Sequence, residues 1–188
     1  MSGRERMNGG DGLERLRALI REQGGLMASL VASGELARDE RVQAGVSPAR
    51  IAAQGPRAAG NRDEYELLVE AIYEGYLLHY GSPRVMHVPE ADLGLLAGDR
   101  LYAIGLARLV ALGDTMAVAE LADTITLSAL AQGGGEEGLA DAVWAAGARA
   151  VGWGSSDGHR WAKDLAFAGS PDALEAMRTS AAGAPASP

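Results

Sequence analysis

Asp63, Glu66, Glu70 and Glu74 follow one another at three- and four-residue steps, the spacing that places side chains on one face of a helix. Such a row of carboxylates could hold Mg2+ together with substrate phosphates, because hard cations take oxygen ligands. Chemistry of that kind needs a second acidic helix across the site. Glu120 and Asp123, three residues apart, could be the other half. Glu66, Glu70 and Glu74 are therefore the candidate metal ligands. The plainer reading of the same stripe is a solvated helix face.

The remaining reactive residue types are scattered. Asp99 sits inside a strongly apolar segment, where a carboxylate must be paired or hydrogen-bonded. Arg84 and Arg108 are the expected partners. His79 falls on an apolar helical face with Tyr65 and Tyr76 and reads as a core histidine. His87 lies in a connector and His159 at the start of a late helix. Three isolated histidines with no cysteine in the chain argue against a zinc or di-iron centre. Gly133, Gly134 and Gly135 precede two glutamates rather than Lys and Ser or Thr, so they form a turn and not a phosphate loop. The segment GWGSS, residues 152–156, lacks the G-x-S-x-G pattern of a nucleophile elbow. Trp144, Trp153 and Trp161, nine and eight residues apart, could line a pocket, although ordinary packing accounts for them. No catalytic residue and no cofactor site is assigned; Mg2+ enters only if the acidic stripe is a site.

These residues need elements to position them, and the chain is long enough, at 188 residues, for one self-sufficient core. Apolar residues make up 47% of it, with a single Phe, so Ala, Leu and Val must build that core and allow close helix approach. The net charge of −8 and pI near 4.9 disfavour nucleic acid and anionic membrane surfaces. The absence of cysteine fits a reducing compartment, and a start without an apolar run fits a cytoplasmic chain. Asp99, Arg100 and Arg108 interrupt the best candidate for a membrane span.

Helical periodicity organises most of the chain, and no strand-like alternation appears. Residues 1–11 are expected to be disordered. A helical appendage is expected over 12–41, carrying Leu13, Leu16, Leu19 and Ile20 and then a second short helix from Leu26. Residues 42–61, rich in Gly, Ala, Pro and Arg, read as a linker. A helical core is predicted over 62–180 and a disordered tail over 181–188. Within the core, Asn61 caps a helix reaching Tyr80. A second helix runs from Pro89 to Leu112 and is apolar in almost every direction, which predicts a central position. Asp114 or Thr115, Glu136 with Glu137, Ser156 or Asp157, and Ser170 with Pro171 open the four helices that follow.

The segment LGLLAGDRLYAIGLARLVALGD, residues 93–114, resembles a helix of trans-isoprenyl diphosphate synthases. That family carries an L-A-G-D-x-L pattern after its first aspartate-rich motif; here the matching residues are Leu96, Ala97, Gly98, Asp99 and Leu101. The stretch AVAELADTITLSALAQG is similar to the family's next core helix, and the likeness spans roughly residues 85–135. It implies an all-α, isoprenoid-synthase-like helical bundle of reduced size. It implies Gly98, Asp99, Tyr102 and Gly105 as structural core, with the two glycines on one face for tight packing.

The family ionises an allylic diphosphate with Mg2+ ions held by two aspartate-rich patches. This chain has no Asp-Asp pair; the segment LLHYGSPRVMHVPEAD offers only Glu90 and Asp92. The small subunit of heteromeric heptaprenyl diphosphate synthases is similar in size, in its L-A-G-D helix and in lacking those motifs. The resemblance therefore implies a non-catalytic or regulatory subunit of a prenyltransferase complex, in a homo- or hetero-oligomer, with Ile72 and Tyr76 at the subunit contact. A Mg2+-dependent phosphohydrolase and a helical adaptor without activity are the alternatives.

Overall fold

The computed structural model describes residues 8–32 and 47–183, and over them the chain is all-α. The helices are α1 (Asn8–Glu22), α2 (Gly25–Ser29), α3 (Pro48–Gln54), α4 (Arg62–Tyr80), α5 (Ala91–Ala111), α6 (Thr115–Gly133), α7 (Glu137–Trp153), α8 (Asp157–Phe167) and α9 (Ala173–Ala182). Among the described residues, extended pairing is limited to an isolated antiparallel bridge between Val31 and Met86. No helix among the described residues is long and apolar enough to cross a membrane.

Side-chain caps set the starts of two of these helices. The Asp114 carboxylate accepts the Ala117 N–H at 3.0 Å and starts α6, and the Ser156 hydroxyl accepts the His159 N–H at 3.1 Å and starts α8. Gly113 turns the chain between α5 and α6 with φ near 78°, a conformation that L side chains rarely adopt. Between α4 and α5 the chain extends, and its Val85 carbonyl accepts from Ala32 at 2.9 Å while His87 N–H donates to Leu30 at 2.8 Å.

Helices α4 and α7 are the interior elements. α4 shares one apolar cluster with α3, α5, α6 and α7, built on Leu68, Ile72, Leu109, Leu121 and Trp144. Its other side meets α1 and the extended connector through Leu16, Ile20, Leu67, Val85 and Leu101. A third cluster joins α6 and α7 to α8 and α9 through Leu127, Val143, Ala162 and Met177. Ile72 and Tyr76, expected at a subunit contact, are instead in the first cluster.

Three expectations change. The stretch 42–61 is a packed element wherever it is described: α3 and a following 3-10 turn, Pro56–Ala58, bury Ala49, Ala52 and Ala58 completely. Its Ala-rich, Gly-rich composition permits close contact with α7. A Cβ on Gly55 would collide with the Gly152 carbonyl, and one on Gly152 with the Ala52 carbonyl. Likewise, α1 is part of the core rather than an appendage, and it begins at Asn8, inside the stretch expected to be disordered. The rest of that stretch, the second short helix beyond Ala32 and most of the tail lie outside the described residues; the helical part of 181–188 ends α9 at Ala182.

The third change concerns α5. It packs antiparallel on α4, with Gly98 against Gly75 and His79, and Gly105 against Ile72 and the Leu68 carbonyl. Gly98 and Gly105 are buried at this contact, and Tyr102 is half-buried. Asp99 is not core: its side chain is 68% exposed, and its partner is His79 Nε2 at 3.3 Å rather than Arg84 or Arg108. The helix is peripheral, leaving Leu95, Leu96, Val110 and Leu112 exposed. Uniform apolarity shows that a helix can be buried on any side; it does not say that all sides are covered.

The α3–α7 contact admits no side chain in either direction. Gly55→Ala is expected to lower stability at the upper end of the ~1–3 kcal/mol typical of overpacking. Urea denaturation should show this as a lower midpoint at unchanged slope.

Candidate functional site

The inner half of the acidic stripe of α4, Glu70 and Glu74, does not face solvent, whereas Asp63 does. Helix periodicity aligns Glu70 and Glu74, and both are buried, at 4% and 0% exposure. The residue that draws them inward is Arg84, itself 4% exposed, which enters from the extended connector. Its Nη2 donates to Glu70 at 2.6 Å and its Nε to Glu74 at 3.2 Å. Glu74 Oε1 also accepts the backbone N–H groups of Arg84 and Val85, both at 2.7 Å. Glu70 accepts the Ser47 hydroxyl at 2.7 Å, and the Arg84 guanidinium lies over the Tyr73 ring. Burial pushes the Glu74 carboxyl up, against the opposing pull of Arg84 and the N–H donors. The stripe is an internal ion cluster, so the solvated-face reading fails for these two residues.

Its outer members are also engaged. Arg15 reaches Glu66 at 2.6 Å and Asp63 at 3.0 Å, and Arg50 stands 3.8 Å from Glu66. Glu120 and Asp123 do not face the stripe. They point to α8, where Lys163 Nζ contacts both, at 3.0 and 2.7 Å. Among the described residues, no group of three or more His, Cys, Asp or Glu is placed to hold a metal ion.

The second polar centre is built where α6, α8 and α9 meet. His159, in the first turn of α8, is 3% exposed. Its Nε2 lies 3.1 Å from Glu120 Oε2 and its Nδ1 lies 2.8 Å from the Ser180 hydroxyl in the last turn of α9. An ionised carboxylate can only accept, so Nε2 carries a proton, and in the neutral imidazole Nδ1 is then the acceptor for the Ser180 hydroxyl. Burial raises the Glu120 carboxyl, but the hydrogen bonds and charges of His159 and Lys163 outweigh it and hold the group near 2. Burial lowers Lys163, and its two carboxylate partners more than reverse that. A cavity of about 590 Å³ opens beside this centre, lined by Arg149, Trp153, Ser156, His159 and Ser180 among others. The Arg149 guanidinium stacks on the Trp153 ring, 4.8 Å from its centroid. The three tryptophans do not share a pocket: Trp144 is core, Trp153 borders this cavity, and Trp161 is on the surface.

A third polar contact closes the α5–α6 corner. Tyr65 donates to Asp114 at 2.5 Å and Arg57 reaches the same carboxylate at 2.6 Å. Burial and the acidic neighbour push Tyr65 up to about 12. The contact fastens the 3-10 turn and α4 to the start of α6.

No protein-family model, curated protein or solved structure matches the chain. The site therefore rests on its own geometry. Sequence reasoning singled out His159 and Glu120 separately but had no means of joining residues 39 positions apart. Ser180, Lys163 and Arg149 gave no signal at all: a Ser in a helix's last turn and single basic residues are ordinary surface composition.

Removing Arg84 alone strands two buried carboxylates, so Arg84→Met is expected to cost about 3–5 kcal/mol, read by chemical denaturation. Glu120 yields a pH signature. Its carboxyl is held near 2 in the folded chain against 4.5 otherwise. Its contribution is complete above about pH 4.5 and disappears as pH falls toward 2, for a total of about 3 kcal/mol. Glu120→Gln should therefore reduce stability at pH 7 and show a flatter acid limb, with the gap to wild type closing between pH 5 and 2.

Proposed function

We propose that this protein is a partner-binding relative of trans-isoprenyl diphosphate synthases, without prenyl-transfer activity of its own, that supports a separate catalytic subunit in the cytoplasm. The observation that carries this reading is the engagement of the acids. Diphosphate departure needs carboxylate oxygens free to bind Mg2+. Glu70 and Glu74 are inside the core on Arg84, Glu66 is on Arg15, and Glu120 and Asp123 are on Lys163. The phosphohydrolase alternative draws on the same carboxylates and is not favoured, since Glu70 and Glu74 would have to leave Arg84.

The family link rests on the L-A-G-D pattern, and the packing of Gly98 and Gly105 on α4 suits a closely packed helix pair in such a bundle. The partner surface belongs to α5 and α6. Leu96 and Val110 on α5, with Met116 and Leu130 on α6, are more than half exposed. Each bulky apolar side chain covered by a partner contributes roughly 1.5–3 kcal/mol, which gives this face a reason to be covered.

The test is co-purification with a larger synthase bearing two aspartate-rich motifs, followed by Leu96→Asp with Val110→Asp. The double variant should stay folded and lose the partner. The isolated chain should turn over no allylic diphosphate with Mg2+; turnover by the chain alone would end this reading.

A further inference from the structure

Ser180, His159 and Glu120 form a continuous hydrogen-bonded series: hydroxyl to Nδ1 at 2.8 Å, and Nε2 to carboxylate at 3.1 Å. Its order is that of a nucleophile, a base and the group that orients the base. The base is buried, and the nucleophile and the edge of the base border the 590 Å³ cavity. Two features distinguish this from a packing hydrogen bond. Glu120 is held ionised by Lys163, so the imidazole keeps one tautomer with Nδ1 directed at the hydroxyl. The cavity also carries a cation: Arg149 lies against the Gly183 backbone, one turn beyond Ser180, with its guanidinium face on Trp153 and no carboxylate paired to it among the described residues.

We propose that this cluster is an acyl-transfer site that hydrolyses small esters whose acyl part ends in a carboxylate. Ser180 Oγ attacks the ester carbon while its proton passes to His159 Nδ1. The tetrahedral adduct then collapses, the C–O bond to the alcohol breaks, and the alcohol departs with the proton from Nδ1. A water molecule next gives a proton to Nδ1 and adds to the acyl carbon. The bond to Ser180 breaks, its Oγ recovers the proton, and the acid is released. Glu120 stays ionised throughout and acts as a positioning residue. Arg149 binds the substrate's distal carboxylate, and Trp153 offers an apolar wall. No oxidant, metal or further reactant is needed. Glu120 is on α6, but none of the proposed partner-face residues Leu96, Val110, Met116 and Leu130 lines the cavity, so either assignment can fail without the other.

The test uses the purified full chain with a tagged fluorophosphonate and with two chromogenic esters, 4-nitrophenyl acetate and 4-nitrophenyl succinate. The probe should attach at Ser180, as located by peptide mass spectrometry, and Ser180→Ala should abolish both adduct and turnover. Loss of the base in His159→Gln should cost about 10²–10⁴-fold in rate. Arg149→Gln should raise KM for the succinate ester by about tenfold or more relative to its effect on the acetate ester, consistent with loss of one charge-assisted contact. Glu120→Gln should lower kcat with KM kept, a split that general loosening of the fold would not produce. Because Ser180→Ala removes one hydroxyl from a half-buried position, it should fold; its thermal transition checks this. Wild-type protein left unlabelled, labelled elsewhere, or no faster than Ser180→Ala overturns the proposal.

Discussion

Two glutamates and an arginine in the interior govern how this chain is assembled. Isolated buried charges cost several kcal/mol each, so Glu70, Glu74 and Arg84 are tolerable only together. Their mutual requirement has a geometric result. Glu74 takes the N–H groups of Arg84 and Val85, groups that an extended connector would otherwise leave without partners inside the protein. The connector is thereby fixed along α4, and Val85 and Met86 turn into the cluster with α1. The path into α5 is set at the same time, which brings Gly98 and Gly105 against α4. A hydrophobic pair in place of the ions would leave those N–H groups unsatisfied, so the ion cluster specifies the chain path as well as filling space.

The rest of the bundle follows a second constraint, the shortage of large side chains. With one Phe in the chain, close backbone approach replaces bulky interdigitation. Gly55 meets Gly152, Gly75 meets Gly98, and Gly147 lies against Thr124, whose hydroxyl donates back to the Glu120 carbonyl at 2.7 Å. Dispersion per contact is small, so such packing depends on many short-range contacts and tolerates little added volume. Three large aromatic groups gather at one place, Tyr73 and Tyr76 around Trp144, with Tyr76 accepting from Gln132 at 2.7 Å. That cluster joins α4 to the end of α6 and the middle of α7.

How far the sequence discloses this architecture depends on the range of the interaction concerned. Helices governed by local signals were legible, as at Asp114 and Ser156, whose caps act within three residues. The fold class was legible because period alone separates helix from strand. Residues 47–61 were misread because Ala, Gly and Pro carry little periodic signal, and the same composition serves an exposed linker or a tightly packed helix. Glu70 and Glu74 were misread because an i, i+4 acidic pair describes a face without stating what lies opposite. Arg84, 10 and 14 residues further on and beyond a turn, decides it. The centre around His159 was the least legible. Its members come from three helices, and each contributes a residue type that is common on surfaces.

The position of α5 shows how far a pattern can be pressed. Its apolar residues surround the axis, yet α4 covers one face and α6 a narrow part of another. Glycines set this outcome, since Gly98 and Gly105 let α4 approach so closely that a single contact face suffices to hold the helix. The larger residues, Leu95, Leu96, Val110 and Leu112, are left on the outside with Met116 and Leu130 of α6 nearby in the chain order. Scattered exposed apolar residues are ordinary. Here six of them lie on α5, its C-terminal cap and α6, while α8 also exposes Trp161 and Phe167. Of the charged groups on α5, Arg108 turns back to Glu64 at 2.8 Å and Asp99 to His79 at 3.3 Å, but both keep much of their contact with water. Taking a hydrated charge out of water costs several kcal/mol, so a partner could cover the apolar residues of this helix pair only by leaving Asp99 and Arg108 at the rim.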